Sequence, residues 1–472
     1  MAVTDCLKYK FEEDSYEFES DCEIAGSQYV RFTSDRGIDS SRSVTFRIGR
    51  NSDSLLDMSK FFIKTKYRIV KDDDNPIGSS PTVYPLENHG INLWTSASVS
   101  LNNVPLPPSN DYAYTANLVN LIGATPEVRK TIMGPLTGFR EPMSSSSKIG
   151  TDEWGTYDEA KQKCADSKTM TVYTRIYSDF IQSCSQLLPY DCDLTIVLNR
   201  SKDSFVLGVD PGDNHPTYKI NIESVSLFIK KIYLSDPATA RIRSSIQDGL
   251  MLQYQRLQTV VYPCPERSLT FSFYDLYHGI VPRKAFAFLV TQEAYFGSYR
   301  RNSMYLESAD VSKVTFFSDG RAINPESYET SFKYHPKTGH TITESSMQRY
   351  TAQLENLPDD ADEETRNTLK AIVGGGASDA MSPFAGLCRV VSSFSNPREL
   401  VGVEYPQFVD GSTIFAVSMD HSQRMTAMRG SFDMTIEFRT PLKEPHMVIV
   451  VGEYPKTIKL DQDKNVSEMW SS

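Results

Sequence analysis

The sequence predicts an all-β protein made of two β-sandwiches in one chain, with long loops and a few short helices. Three observations predict it. The 472 residues exceed the roughly 250–300 that one hydrophobic core usually fills, so two domains are expected. Runs with a period of two recur from Ser43 almost to the C-terminus. Aromatic residues make up 11% of the chain, with 25 Tyr and 24 Phe, which suits half-buried strands where flat rings pack on a pleated surface.

The first forty or so residues are polar and without sustained periodicity, and read as an N-terminal arm over 1–43. From Lys60 to Lys71 the sequence is KFFIKTKYRIVK. Phe61, Ile63, Thr65, Tyr67 and Ile69 fall on one side; Lys60, Lys64, Lys66 and Arg68 fall on the other, a strand with one wet face. Ala97, Val99 and Leu101 repeat the pattern and run into the turn pair Asn102-Asn103. Leu194, Ile196 and Leu198 predict another strand, and Val225, Leu227 and Ile229 a further one. In the second half Phe286, Phe288 and Val290 alternate, with Leu289 between them predicting burial on both faces. Val314 and Phe316 lead into Asp319-Gly320, a strong hairpin signal. Phe432, Met434, Ile436 and Phe438 alternate cleanly with Asp433, Thr435, Glu437 and Arg439.

Helical spacing is rare. Met347, Tyr350, Leu354 and Leu357 fit one helix face. A second helix is expected from Pro358 to Gly376, with Asp359, Asp360, Asp362, Glu363 and Glu364 at its start and Gly374 able to end it. The stretch from about Asn120 to Met170, with its serine run Ser144 to Ser147, reads as a long excursion from the first sandwich. Dividing the strands places one sandwich at 44–240, another at 241–460 and a tail at 461–472.

The net charge is -11 and no Lys/Arg-rich tail occurs; Phe11 to Glu23 is instead acidic. Coating nucleic acid needs a cationic face to neutralise phosphates, so strong direct nucleic-acid binding is not expected. The seven cysteines, Cys6, Cys22, Cys164, Cys184, Cys192, Cys264 and Cys388, are odd in number and widely spaced. That pattern favours thiols in a reducing compartment over a disulfide framework. No signal peptide is evident, and the apolar stretches from Ala285 and Met447 are far too short to cross a bilayer. Folding in cytosol or nucleus is therefore expected, and the N-x-S sequons at Asn199 and Asn465 read as chance matches.

Reactive constellations are scarce. There is no GxSxG, HExxH or GxxxxGK[ST] pattern. Gly374 to Gly376 lacks the lysine of a phosphate loop and reads as a helix end. His335 and His340 form the nearest histidine pair, with no cysteine or acid beside them, and read as loop residues. Asp461, Asp463 and Asn465 faintly resemble a calcium loop that lacks its glycine and final acid. Asp72-Asp73-Asp74 reads as a polar loop after a strand. The carboxylates from Asp359 to Glu364 are explained by the helix dipole. Trp94, at the start of a strand, reads as a packing residue and not a sugar platform. No catalytic residue, cofactor-binding residue or metal ligand is assigned, and the chain is expected not to be an enzyme.

The segments together resemble a known family. LLDMSKFFIKTKYRIVK, LENHGINLWTSASVSLNN and DYAYTANLVNLIG resemble the opening of double jelly-roll major capsid proteins of Polinton (Maverick) elements and adintoviruses. The segment from Thr174 to Leu207 looks like the family's Arg-Ser-Lys-Asp-x-Phe region, and IESVSLFIKKIYLSDPA like the strand that closes the first jelly roll. Tyr277 to Leu306 resembles its Gly-x-x-Pro strand and Gly-x-x-x-x-Asn loop; YPQFVDGSTIFAVSMDHSQ and GSFDMTIEFRTPL follow in order. The similarity covers about residues 44–465. No single motif is specific; the colinear set carries it. The chain departs from the pattern at Ser303, where relatives often have proline, and in a long insertion before YPQFVDG.

The resemblance implies a double jelly roll of two eight-stranded sandwiches. It implies a structural subunit of the virion capsid, made and assembled in the host cytoplasm or nucleus. Its partners would be copies of itself, as a pseudo-hexameric homotrimer with neighbouring capsomers, and penton and minor capsid proteins. Membrane contact is left open. A jelly-roll carbohydrate-binding or glycan-processing protein is the alternative, as is a domesticated host copy.

Overall fold

The computed structural model describes residues 24–34, 43–50, 53–139, 157–184, 187–189, 191–210, 212–213, 218–246, 249–324, 327–336, 341–358, 362–391, 402–419, 428–461 and 465–469. Cys6, Cys22, Phe11 to Glu23, Ser144 to Ser147, His340, Asp359, Asp360 and Asp463 lie outside them.

The first half carries β1 (Ile24–Thr33), β2 (Ser43–Ile48), β3 (Leu55–Lys71), β4 (Val83–Pro85), β5 (Trp94–Leu101), β6 (Val104–Pro105), β7 (Met170–Arg175), β8 (Leu194–Arg200), β9 (Leu207–Val209) and β10 (Tyr218–Leu234). One sheet has the order β1-β10-β3-β7, the other β2-β8-β5-β6, and β4 pairs with β9. Inward side chains of both large sheets, among them Phe46, Ile63, Tyr67, Val99, Ile196 and Leu227, meet in one buried cluster. This is the packing of a β-sandwich.

The second half carries β11 (Leu250–Cys264), β12 (Thr270–Phe273), β13 (Ile280–Val281), β14 (Lys284–Thr291), β15 (Val311–Ser318), β16 (Arg321–Ala322), β17 (Tyr328–Glu329), β18 (Phe415–Ser418), β19 (Met428–Arg429), β20 (Phe432–Phe438), β21 (His446–Leu460) and β22 (Val466–Met469). Here the sheets run β11-β21-β14-β18, with β22 on β21, and β12-β20-β15-β16, with β17 on β15. Phe288, Phe316, Phe415, Ile436 and Val448 anchor a second core. The paired strands β11 and β21 extend beyond it: Leu252, Tyr254, Ile458 and Leu460, at their far ends, pack into the first core.

Local chemistry explains most elements. In β3 the residues Phe61, Ile63, Thr65, Tyr67 and Ile69 are buried, alternating with more exposed cationic positions. β14 is buried along its length after Lys284, because it is covered on both faces. Asn102 and Asn103 (φ 49° and 66°) close the β5–β6 hairpin, and Asp319 and Gly320 (φ 49° and 73°) close β15–β16. Both are two-residue turns with positive φ throughout, the type I′ geometry that Asn and Gly adopt most readily.

The expected helices form as Glu344–Glu355 and Glu363–Gly375. Thr343 caps the first through a reciprocal bond with Ser346. Leu357 lies beyond its end. Asp362 caps the second by accepting from the Glu364 and Thr365 amides at 3.2 and 3.1 Å, and Gly376 terminates it at φ 78°.

Several elements differ from the sequence reading, the helix Asp236–Ile246 among them. β1, read as part of an arm, pairs with β10 through main-chain bonds, which need no alternating side chains. β22, read as tail, pairs with β21. A helix Met381–Val391 forms in a stretch with no such expectation. Its Pro383 falls in the first turn, where proline is tolerated, and Gly386 passes so close to Tyr328 that a side chain would collide with its ring.

Candidate functional site at the junction of the two sandwiches

The helix Tyr112–Gly123 is the element on which the two halves meet. Nine of its residues are buried, the polar Thr115, Asn117 and Asn120 among them, so it is covered on most of its circumference and its polar groups must find partners inside. Tyr112 and Ala116 belong to the first core; Ala113, Tyr114, Leu118 and Leu121 belong to the second. Its first core face is tied down by the Tyr112 hydroxyl, which accepts from the Tyr177 amide at 3.2 Å, and by the Tyr177 hydroxyl, which donates to Asn120 at 2.7 Å.

Four further contacts bind the halves. Thr115 and Thr259 hydroxyls lie 3.1 Å apart. Ser183 Oγ donates to the Gln255 carbonyl and accepts from its amide, at 2.9 and 2.8 Å. The fully buried Arg129 donates to the Gly402 carbonyl at 2.5 Å and to Gln407 Oε1 at 3.1 Å. The loop from Gly297 to Ser303 reaches back onto the first half: Tyr299 donates to the Tyr218 carbonyl at 2.6 Å and Ser303 to the Phe205 carbonyl at 2.8 Å. Ser303 is where the resembled family often has proline; here its hydroxyl makes a hydrogen bond that proline has no group to make.

A cavity of about 180 Å³ opens at this junction, lined by Thr95, Asp111, Tyr114, Ser201, Phe205 and Tyr295 among others. Asp111 precedes the helix with φ 50° and does not cap it; its carboxylate instead accepts from the Tyr295 hydroxyl at 2.8 Å. Burial pushes the Asp111 pKa up, and the Tyr295 bond offsets part of that rise. Tyr114 and Tyr295 stack with centroids 5.8 Å apart. Burial raises both phenol pKa values, so both keep their protons at neutral pH. Asp111 and the two protonated phenols share this lining with Ser201 and Lys202.

The Asp179 side chain is buried beside the same junction, within 3.4 Å of Ser109 Oγ. Burial raises its pKa to about 7, against the lowering effects of the Leu257 amide, Arg256 and Ser109.

The histidines, acidic clusters, Trp94 and cysteines lie elsewhere. His335 packs its ring 5.5 Å from Tyr350. Asp461 accepts from the Asn465 amide and side chain at 2.7 and 2.8 Å, closing the turn between β21 and β22. Asp73 accepts both from the Asn75 amide and from its side chain, which lowers its pKa, and Lys219 pairs with Asp74 at 3.0 Å. Trp94 is wholly buried in the first core. Cys164, Cys184, Cys192 and Cys264 are buried and Cys388 half-buried. Among the described residues no group of three potential ligands gathers to hold a metal ion, and no helix is long and apolar enough to cross a membrane. Arg129, Asp179, Tyr295 and Gln407 carried no sequence signal, since each acts through a partner distant in the chain.

No family model matches the chain. It is 23% identical over 299 residues to an uncharacterized protein of Caenorhabditis elegans, a match over 59% of this chain that spans 66%, just under two thirds, of that protein. Among solved structures it is similar to a chain in the cryo-EM structure of the Sputnik virophage, with TM-score 0.56 and 11% identity over 98% of this chain and 91% of that one. It is similar to the PBCV-1 virus capsid (TM-score 0.52, 8% identity, 98% and 100% covered). It is also similar to the mavirus major capsid protein (TM-score 0.50, 9% identity, 98% and 93% covered). The chain has the double jelly-roll fold. In this chain the helix Tyr112–Gly123, the Gly297–Ser303 loop, the Arg129 and Ser183 contacts and the ends of β11 and β21 together join one jelly roll to the other.

Proposed function

We propose that the chain is the major capsid protein of a double-stranded DNA virus or virus-like transposon of the Polinton (Maverick) and adintovirus group. One observation above all supports the reading: the likeness to the PBCV-1 capsid and the mavirus major capsid protein runs over 98% of the chain, and so takes in both jelly rolls and their junction. The colinear sequence resemblance over about residues 44–465 supports the group. A relative encoded by a nematode fits an element carried in animal genomes.

In this reading the two jelly rolls, the first taking in β1 and the second β22, give each subunit two lobes. Three subunits close a pseudo-hexameric ring through heterologous contacts, and the rings tile an icosahedral shell with penton and minor capsid proteins. The subunit is structural and catalyses nothing. Its net charge of -11 keeps many copies soluble before assembly and leaves the genome to other proteins.

Light scattering coupled to size exclusion tests the reading. A particle of three times the chain mass is expected, with shells or capsomer arrays by electron microscopy. A monomer at every concentration, with no particles, sinks it.

A further inference from the structure

The outward face of the sheet β1-β10-β3-β7 carries a charge opposite to that of the chain as a whole. In the register of these strands Arg31, Lys64, Lys66, Arg68, Arg175 and Lys230 share the face of Phe62, and the four strands hold only two carboxylates, Asp57 and Glu223, in a chain of net charge -11. Asp57 is buried, and Glu223 lies 3.9 Å from Arg68. The strand register sets Arg31, Phe228, Phe62 and Arg175 in one row across the sheet. Phe62 is the centre of an aromatic group on this face: Phe228 stacks on it at 4.9 Å, Tyr29 lies at 5.7 Å and Tyr173 at 6.3 Å. Tyr29 is 52% exposed. Lys64 lies over the Tyr173 ring, and Lys66 and Arg68 continue the outward row of β3. An apolar strip bordered by cations fits an acidic polypeptide that carries aromatic side chains.

This chain contains such a segment. Phe11 to Glu23 holds seven carboxylates, no lysine or arginine, and the aromatics Phe11, Tyr16 and Phe18. It directly precedes β1, the edge strand of the same sheet. Extended, Phe18 and Tyr16 reach about 20 and about 26 Å from Ile24; Tyr29 lies about 17 Å along β1, and Phe62 about 23 Å along and about 10 Å across, so that Phe18 meets the near end of the strip and Tyr16 its centre. The short tether gives a high effective concentration at the face of its own copy.

We propose that this face is the docking surface for the acidic segment Phe11–Glu23 of the same copy, with Tyr16 and Phe18 on the aromatic strip and the carboxylates among Arg31, Lys64, Lys66 and Arg175. Docking covers the aromatic strip and neutralises the cations without a second protein.

Zero-length carbodiimide coupling, which joins carboxylates to nearby lysine amines, tests this on the full chain in an equal mixture of ¹⁵N-labelled and unlabelled protein. Carboxylates of Glu12 to Glu23 should couple to Lys60, Lys64, Lys66 or Lys230, in pairs of unmixed isotope. The yield should fall at least fivefold in high salt, where the Debye length is about 3 Å at 1 M. Lys64→Glu with Lys66→Glu and Arg175→Glu should cut coupling at Lys60 and Lys230 at least tenfold with the melting temperature retained. Tyr16→Ser with Phe18→Ser, which keeps every carboxylate, should cut it about threefold. Coupling to lysines elsewhere, mixed-isotope pairs, or yields indifferent to the face substitutions would overturn the proposal. So would binding of a DNA duplex by the intact chain that the same face substitutions abolish, since that makes the surface a polyanion site.

Discussion

His446 Nε2 lies 2.8 Å from Glu307 Oε2, in a site where the imidazole is almost fully buried. The contact is one link of a chain of charges. His446 Nδ1 meets the Glu444 carbonyl at 2.8 Å, the Glu444 carboxylate meets Arg301 at 2.5 Å, and Arg301 meets Glu293 at 2.9 Å. The network fixes the start of β21 against the loop that carries Arg301 toward the first jelly roll.

Burial by itself would lower the His446 pKa, but the Glu307 bond and charge, with Glu444, outweigh it and raise the pKa above 6.5. The folded state therefore holds the proton more tightly than the unfolded one. The stabilisation is fully present below about pH 6.5 and is lost as pH rises through the raised value. His446→Gln is expected to cost about 1.5–3 kcal/mol at pH 6, the usual range for hydrogen bonds to charged groups, and less at pH 9. Thermal melting of both proteins across that range checks it; a pH-independent difference would refute the assignment.

Asp179 should give a different profile. Its pKa is raised by burial from 3.8 to about 7, so the folded state binds its proton more tightly, and this contribution falls as pH climbs from about 4 to about 7. Asp179→Asn mimics the protonated form. Urea midpoints should be unchanged at pH 4 and higher for the variant at pH 8.

Arg129 and Gly402 join the first jelly roll's excursion to the second across a wholly buried contact. Arg129→Ala removes a charged donor from two acceptors and is expected to cost about 2–4 kcal/mol. A Cβ at Gly402 would sit 2.2 Å from the Leu121 and Ala124 carbonyl oxygens. Backbone must move to admit it, so Gly402→Ala should be at least as damaging. Chemical denaturation read at constant m-value checks both.

In the junction cavity, the Tyr295 hydroxyl holds the Asp111 pKa down against the effect of burial. Tyr295→Phe keeps the ring and removes the donor. The Asp111 pKa should then rise further, which carboxyl-carbon NMR titration reads directly, and stability at pH 7 should fall by about 1–2 kcal/mol.

Much of the fold was legible because its signals are local. Strand β20 (Phe432–Phe438) is buried at every second residue, as its alternation requires, since side chains on a strand point to opposite faces in turn. Asn102-Asn103 and Asp319-Gly320 announce their turns because few other residues accept positive φ. The helix from Glu363 shows itself through its acidic start and terminal glycines.

The sequence by itself thus determined the strongly alternating strands, two of their turns and the class of two sandwiches. Only the tertiary structure decided how they are joined. β1 became a strand because β10 offered it an edge, and main-chain pairing leaves no mark in side-chain pattern. Arg129 meets Gly402 across 273 positions and His446 meets Glu307 across 139. Such pairs are chosen by which surfaces the packed cores bring together, and neither residue's own neighbours in the chain carry that information.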